Sequence, residues 1–112
     1  MKLVTCVVKP HRLDAVREAI EAAGVGGATV TEVQGFGRQG GHTEVFRGVE
    51  YDVDFVPKAR IEILCDDADA DRLVDVVAAV ARTDRIGDGK IWVADAGQVT
   101  RIRTGELGPD AV

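Results

Sequence analysis

The sequence of 112 residues has few aromatic side chains, an excess of acidic charge and no long apolar run. Aromatic residues make up 4% of the chain, and 14 Lys and Arg against 19 Asp and Glu give a net charge of −5. Nucleic-acid binding needs a basic surface with stacking aromatics, so nucleic acid is not expected as a direct partner. No apolar run approaches the ~20 residues of a membrane span, and Lys9 and Pro10 interrupt the N-terminal run before a signal-peptide core could form. We therefore expect a cytoplasmic protein.

Cysteine is also scarce. Cys6 and Cys65 each lie in an apolar run, without CxxC spacing or a neighbouring His. This pattern predicts two small buried side chains in a reducing compartment, and neither a disulfide nor a metal site. The length suits a single domain over residues 1–112 whose two-layer core has little burial to spare, so contacts between subunits would help to stabilise it.

The chain does contain a strand–helix–strand order. The continuous apolar run 3–8 predicts a strand buried on both faces. Apolar residues recur at steps of three and four over 11–23, which predicts an amphipathic helix closed by Gly24. The Val- and Thr-rich stretch 28–34 predicts the second strand of the unit.

The same order occurs again further along the chain. Alternation over 59–65 predicts a strand with one wetter face, and the acidic cluster 66–71 supplies a candidate N-cap for a helix that ends near 82–83. Residues 91–94 predict the strand that follows, and 98–103 a short extra strand. Two such units predict an α+β fold of the ferredoxin-like split βαβ type, βαββαβ, with both helices on one face of an antiparallel sheet. The open face needs a cover, and we expect another copy of the chain.

A long segment of about twenty residues joins the two units, between Gly35 and Pro57, and it is too apolar for a solvated linker. Two interpretations stay open. One is a β-hairpin with its tip at Arg47-Gly48 that packs on its own sheet. The other is a mobile arm whose exposed apolar residues dock on partners.

Residues 35–40 match the pattern GxGxxG after a predicted strand, but they do not predict a dinucleotide site. That fingerprint needs a helix to begin next, and residues 41–48 carry no helical periodicity. What remains is a flexible loop that could approach a ligand closely, beside the guanidinium of Arg38.

Residues 86–90, with the sequence IGDGK, indicate an anion site more strongly. Two glycines between a helix and a strand can turn backbone N–H groups toward an anion, and Lys90 adds a charge; the alternative is a helix C-cap with a solvated lysine. Arg101 and Arg103 would project from one face of an extended segment, with Ile102 pointing inward. Together with Arg38, these basic groups suggest a polyphosphate pocket.

Nothing in the sequence indicates catalytic machinery. His11 and His42 are far apart, neither neighbours an arranged Cys or Ser nucleophile, and both are interpreted as surface or capping residues. There is no GxxxxGK[ST] loop, no HExxH and no motif pairing carboxylates for acid–base chemistry. The chain is predicted to bind nucleotide and not to be an enzyme.

Several motifs, in order along the chain, resemble those of the PII nitrogen-regulatory signal transducers, and the resemblance extends essentially from end to end. The motifs are GFGRQ at 35–39, GHTE at 41–44, RGVEY at 47–51, VDFVPK at 53–58, GDGKI at 87–91 and RIRTGE at 101–106. The resemblance implies a homotrimer of ferredoxin-like subunits whose sheets line the centre. ATP and ADP would compete for three clefts between neighbouring subunits.

The resemblance also implies which residues bind ligands. The phosphates would be held from one side by Gly87, Asp88, Gly89 and Lys90. The adjacent chain would contribute Arg101, Ile102 and Arg103. Thr29 and Leu64 would lie by the adenine and ribose, and Gly35, Gly37 and Arg38 would complete the cleft. Mg²⁺ would be coordinated by the phosphates, the Gln39 oxygen and 2-oxoglutarate, which is an all-oxygen set suited to a hard cation. Lys58 would pair with a carboxylate of 2-oxoglutarate, with Gly41 and Gly87 nearby.

Residues 37–55 would then be the regulatory T-loop, and Tyr51 its nucleotidylation site. The resemblance implies a membrane ammonium transporter, a nucleotidyltransferase and nitrogen-metabolism enzymes or regulators as partners, with recruitment to the inner membrane through the transporter. Gly40 replaces a usual Lys, Asp84-Arg85 a usual Gly-Lys, and Phe46 and Val49 also depart from the family pattern. Two alternatives remain: a slow ATP-hydrolysing enzyme using the same cleft, and a ligand-free trimeric assembly module. The sequence does not decide between uridylylation and adenylylation of Tyr51.

Overall fold

A computed structural model describes residues 1–37, 42–46, 49–53 and 55–112, the two short inner ranges by their backbone alone. Its strands and helices alternate in the order expected from the sequence. They are β1 (Lys2–Val8), α1 (Leu13–Ala22), β2 (Thr29–Gly35), β3 (His42–Phe46), β4 (Val49–Val53), β5 (Val56–Cys65), α2 (Ala70–Ala81) and β6 (Lys90–Asp95). Across the described ranges, no helix has the length and apolarity that crossing a membrane requires.

Four of the strands form one sheet in the order β2-β5-β1-β6, and each neighbouring pair is antiparallel. Strand β5 separates β1 from β2, and β1 separates β5 from β6, so each strand–helix–strand unit is split by a strand of the other. This is the α+β ferredoxin-like arrangement, and the fold prediction is confirmed.

The core lies between the helices and one sheet face. The apolar stripe of α1 buries Val16 and Ile20, and that of α2 buries Leu73 and Val77. These helical residues pack on every second residue of the two central strands, namely Val4, Cys6, Val8, Ala59, Ile61, Ile63 and Cys65. Both cysteines are buried and unpaired, as predicted, and burial raises the pKa of the Cys6 thiol to about 11.

In the described ranges, no helix packs on the opposite face of the sheet. The register places Leu3, Thr5 and Val7 of β1 on this open face. Their neighbours Leu64 and Trp92 are 40% and 48% exposed. The prediction that β1 is buried on both faces is therefore correct only in part for the isolated chain, because Thr5 is buried on the open face but Leu3 and Val7 are partly exposed.

Strands β3 and β4 form a separate two-stranded sheet within the segment that joins the two units. They pair antiparallel with Phe46 opposite Val49, as a hairpin requires. The proposed tip at Arg47-Gly48 lies outside the described residues. Whether the hairpin packs on the sheet or protrudes as an arm thus stays a prediction.

The ends of the helices differ from the sequence-based expectation in two places. Residues Pro10–Arg12 form a 3-10 turn, so α1 begins at Leu13 and not at 11. The N-cap position of α2 is Asp69, but its carboxylate makes no capping hydrogen bond and pairs with Arg72 at 3.2 Å. The 3-10 turn before α2 gives Asp69 a helical backbone, whereas a side-chain cap needs an extended one.

The C-terminal segment is held by turns. The predicted strand over 98–103 is wrong: the pairing there is the single bridge between Thr100 and Leu107. Residues 102–104 form a turn, closed by a hydrogen bond of 2.8 Å from the N–H of Gly105 to the carbonyl of Arg101. A chain that reverses within a few residues cannot continue a ladder.

Gly89 passes unusually close to the end of β1. Its φ is +97°, and a Cβ built on it would lie 1.7 Å from the carbonyl oxygen of Val7. Only glycine satisfies both the left-handed backbone and this approach. The segment before β6 is therefore pressed against the central strand by a contact that any side chain would break.

We predict that Gly89→Ala lowers the free energy of unfolding by about 3 kcal/mol or more, because backbone must move to admit the methyl group. Gly97→Ala is the matched control: φ is +68° there, but the space around it is open. It should cost only about 1–2 kcal/mol of left-handed strain. Urea unfolding at equal protein concentration measures both, and equal losses would contradict the close contact.

Candidate functional site

An open cleft of about 560 Å³ lies at one end of the open sheet face. It lies where β1 and β2 end and where β5 and β6 begin. Its walls include the apolar side chains of Val7, Phe36, Ile86 and Trp92. It also gathers predicted site residues from three separate parts of the sequence, namely Gly35, Gly37, Lys58, Gly87, Asp88, Gly89 and Lys90.

A tight loop between α2 and β6 forms one wall of the cleft. The chain reverses at Asp84, whose φ is +63°, and again at Gly87 and Gly89, at +95° and +97°. Aspartate tolerates the left-handed region better than most residues, so Asp84 can occupy this reversal without a glycine. The helix-to-strand glycine turn predicted from the sequence is confirmed.

The carboxylate of Asp88 holds this loop together. Its Oδ2 accepts hydrogen bonds from the backbone N–H groups of Thr83 and Asp84, at 2.8 and 3.0 Å. Its Oδ1 accepts from the hydroxyl of Thr83 and lies 3.2 Å from Nζ of Lys9. These hydrogen bonds from Thr83, assisted by Lys9, lower the pKa of Asp88 well below its ordinary value, although burial opposes the shift. An ionised carboxylate so engaged is no ligand for phosphate, so any contact of Asp88 with an anion would come from its backbone.

Lys58 places a positive charge in the cleft. Its Nζ donates a hydrogen bond of 2.6 Å to the carbonyl oxygen of Gly87. Burial lowers the pKa of Lys58, the charge of Lys9 lowers it further, and Asp88 partly offsets both. Lys90 opens β6 at the same wall and is exposed. The cleft thus presents two lysines beside a turn of glycine backbone.

The residues predicted to contact adenine and ribose lie elsewhere. Thr29 and Leu64 line a second cleft, of about 470 Å³, with Leu3, Glu62 and Val112 among its other walls. The second cleft lies on the same face of the sheet as the first. The first is lined by Val7 of β1 and the second by Leu3 of the same strand. Leu3 and Val7 are four residues apart, which corresponds to about 13 Å along a strand. One chain therefore carries two separate clefts at opposite ends of one face.

The two predicted C-terminal arginines lie outside the linings of both clefts in the part of the chain that is described. Arg101 pairs with Glu106 at 3.3 Å and donates to the carbonyl oxygen of Ala111, also at 3.3 Å. The prediction that Ile102 points inward is wrong, since its side chain is 100% exposed. The alternation that would have buried it holds for extended backbone, and residues 102–104 form a turn. Among the described residues of one chain, Arg101 and Arg103 therefore do not join Lys90 at the lining of its cleft.

Several predicted residues cannot be placed. Arg38, Gln39 and Gly41 lie outside the described residues, as does Gly40, and for Tyr51 the description covers only its backbone in β4. Within the described ranges, no group of three His, Cys, Asp or Glu could hold a metal ion. The proposed Mg²⁺ ligand set, which relies on Gln39 and ligand oxygens, stays a prediction.

Sequence reasoning missed two residues of the site, Lys9 and Thr83. In the sequence, Lys9 stands out only as a residue that interrupts the N-terminal apolar run, and Thr83 only as a residue near the expected end of α2. The available signal was weak: a hydroxyl residue five positions before an aspartate, in a segment with several turn formers. His11, by contrast, is exposed in the first 3-10 turn, as a surface residue should be.

The depressed pKa of Asp88 predicts a pH-dependent stability. The unfolded carboxylate titrates near pH 3.9, and the folded one lower. Its contribution is therefore present above about pH 4 and is lost as the pH falls below that value. We expect Asp88→Asn to be less stable than the wild type at pH 7, with the gap narrowing below about pH 4. Urea unfolding from pH 7 to pH 2.5 measures this, and a constant gap would contradict it.

Comparison with known proteins identifies the family. The family model described as nitrogen regulatory protein P-II matches residues 1–106. A nitrogen regulatory protein P-II of Cereibacter sphaeroides is 53% identical over 112 residues, the full length of both chains, and one of Azospirillum brasilense is 51% identical over the same length. Nitrogen regulatory protein GlnK of Escherichia coli K12 is 54% identical over 106 residues, 95% of each chain. The chain belongs to the nitrogen regulatory protein P-II family.

Proposed function

We propose that this chain is a non-enzymatic signal transducer that regulates nitrogen assimilation. It binds ATP or ADP, and with Mg-ATP also 2-oxoglutarate, at clefts between neighbouring copies. The observation that carries the proposal is the cleft in which the glycine loop, Lys58 and Lys90 meet. The family and its relatives are named as regulatory proteins, which are signalling proteins and not enzymes.

The glycine loop suits the phosphates of the nucleotide. Successive residues with left-handed backbone can turn neighbouring N–H groups toward one anion, and Gly87 and Gly89 both have positive φ. Lys90 follows immediately, so its ammonium group adds a charge-assisted contact at the same wall. This local cationic site is compatible with a net charge of −5, because the net charge says nothing about where the charges lie.

The two clefts support an assembly of copies, in which each cleft would be one half of a binding site. They lie at opposite ends of the open face, so one copy placed head-to-tail against another would bring the glycine-loop cleft of the first beside Thr29 and Leu64 of the second. A head-to-tail contact that closes makes a ring, and we propose a homotrimer. Such an interface would cover Trp92, and Arg101 and Arg103 would reach the phosphates from the adjacent chain.

Lys58 suits a carboxylate of 2-oxoglutarate. It now donates to a neutral carbonyl, that of Gly87, and a charged acceptor would form the stronger hydrogen bond. The proposed roles of Arg38, Gln39 and Gly41, including the Mg²⁺ ligand, rest on family membership. A cation held by phosphate, amide and carboxylate oxygens would explain why the metabolite needs Mg-ATP to bind.

The segment 37–55 is proposed to be the regulatory T-loop, whose conformation reports the occupancy of the cleft to target proteins. Phe36 and Phe55 support this coupling, because Phe36 precedes the segment, Phe55 ends it, and their rings contact each other edge to face, with centroids 5.6 Å apart. Phe36 also lines the cleft, so a ligand there would act on the base of the loop. Proposed targets are a membrane ammonium transporter, a nucleotidyltransferase and enzymes or regulators of nitrogen metabolism.

Titration calorimetry tests the ligands. We expect 2-oxoglutarate to bind only when Mg-ATP is present, and Lys58→Met to abolish this binding while ATP still binds. Lys90→Ala should weaken ATP binding by about tenfold, the loss of one charge-assisted contact. Arg85→Ala removes an exposed cation of the same loop that is outside the cleft lining, and should change the affinity by less than twofold.

Other outcomes would contradict the proposal. Metabolite binding that is independent of ATP would exclude the coupling. Sustained ATP turnover that Lys90→Ala abolishes would indicate an enzyme. A thermal midpoint unchanged by a hundredfold excess of ATP over its expected dissociation constant would indicate a ligand-free assembly module, because a ligand that binds only the folded state must stabilise it.

Intact mass spectrometry of the protein from nitrogen-starved cells tests the modification. We expect one added nucleotidyl group per chain in the wild type and none in Tyr51→Phe, because the phenylalanine has no hydroxyl group to modify. A bulky anionic group on the loop would block docking on target proteins. The added mass distinguishes a uridylyl from an adenylyl group. An unmodified mass under starvation, with the modifying enzyme present, would contradict the role of Tyr51.

A further inference from the structure

Three parts of the chain meet at the glycine loop. Lys9 follows the end of β1, Thr83 follows the end of α2, and Asp88 lies within the loop itself. Nζ of Lys9 lies 3.0 Å from the hydroxyl oxygen of Thr83 and 3.2 Å from Oδ1 of Asp88. The same hydroxyl donates to that Oδ1. We name this group of three side chains the brace.

The Thr83 hydroxyl group connects the other two side chains of the brace. It accepts a hydrogen bond from the ammonium group of Lys9 and donates one to the carboxylate of Asp88, so both of its polar functions are used. Lys9 is only 12% exposed, and ammonium groups buried to this extent need a partner. Hydrogen bonds between charged and neutral groups are stronger than those between two neutral groups.

The brace also contributes to the balance of charge around the cleft. Burial lowers the pKa of Lys58, the nearby positive charge of Lys9 lowers it further, and the carboxylate of Asp88 partly offsets both effects. Lys9 is itself paired with Asp88, while the ammonium group of Lys58 donates to the carbonyl oxygen of Gly87. A loop that lost the brace would have to accommodate two unbalanced lysines beside its glycines.

We infer that Lys9 and Thr83 are positioning residues for the phosphate-binding loop: through Asp88 they hold residues 87–90 in the conformation that receives an anion. They need not touch the ligand to do this. The inference rests on the proposed function, since it deepens the role of the same cleft. It assigns a function to two residues that carry no recognisable motif.

The Thr83 side chain can be changed without loss of the backbone hydrogen bonds to Asp88. The backbone N–H groups of Thr83 and Asp84 donate to the other carboxylate oxygen, Oδ2, and stay in place when the Thr83 side chain is changed. Thr83→Val therefore removes the hydroxyl group and keeps both the turn and the side-chain volume. Thr83→Ser restores the hydroxyl and is the rescue control.

The lysine also has a matched control. Lys9→Met removes the charge of the brace and keeps much of the apolar stem. Lys2→Met removes a lysine from the opposite end of β1, the strand that Lys9 follows. There Lys2 pairs with Asp95, far from the loop. We expect Thr83→Val and Lys9→Met to weaken ATP binding by about tenfold in calorimetry, and Thr83→Ser and Lys2→Met to stay within twofold of the wild type.

Amide hydrogen exchange of the protein without nucleotide supplies a second readout. We expect faster exchange at residues 84–90 in Thr83→Val and Lys9→Met, with α1 and β1 unchanged. Exchange that rises throughout the chain would show general loosening and would overturn the inference. So would ATP affinity within twofold of the wild type in both variants.

The two readouts separate the inference from the proposed function. A wild-type protein that fails to bind ATP contradicts the proposed function, whatever the variants do. The ordering of the loop by the brace is then still decided by hydrogen exchange, which needs no nucleotide. Unchanged exchange at 84–90 in both variants overturns the inference even if the wild type binds ATP.

Discussion

The arrangement of the candidate site depends on the hydrogen bonds and the ion pair that the ionised carboxylate of Asp88 accepts. It ties the turn after α2 to the glycine loop through Thr83 and Asp84, and ties both to the end of β1 through Lys9. The backbone of Gly89 passes the carbonyl of Val7 at a distance that admits no side chain. A short loop held at two points has little freedom, and a binding site built from backbone N–H groups needs such order before the ligand arrives.

This arrangement explains how an acidic protein presents a cationic cleft. Lys58 and Lys90 reach the cleft from β5 and β6, next to a loop whose nearest carboxylate is already engaged by hydrogen bonds. An unengaged carboxylate there would repel an anion and attract the lysines. Because both oxygens of Asp88 accept from donors of the loop and of Lys9, its negative charge is partly offset within the loop.

One face of the four-stranded sheet is open for a simple physical reason. Within the described residues, the two helices lie over one face of the sheet, and neither covers the other. The open face bears partly exposed Leu64 and Trp92, and both clefts open onto it. In the proposed assembly, one contact between copies would bury this face and complete the clefts.

The features of this protein that could be predicted from the amino-acid sequence are those that depend only on residues close together along the chain. The helical spacing around Val16 and Leu73, the alternation around Ile61 and the glycine turn at 87–89 were all predictable, because periodicity and turn chemistry are local properties. The family motifs were equally visible. Local reasoning was wrong where it assumed extended or capping backbone, as at Ile102, which lies in a turn, and at Asp69, which ends a 3-10 turn.

Which of these parts meet depends on the long-range packing of the chain. The fold places Thr29 and Leu64 at the opposite end of the face from the glycine loop, engages Arg101 with Glu106, and brings the carboxylate of Asp88 into contact with Lys9. Residues 9 and 88 are far apart in sequence, and no pattern along the chain relates them. Their contact follows from the pairing of β1 with β6 and the approach of Gly89 to Val7, which are long-range consequences of the fold.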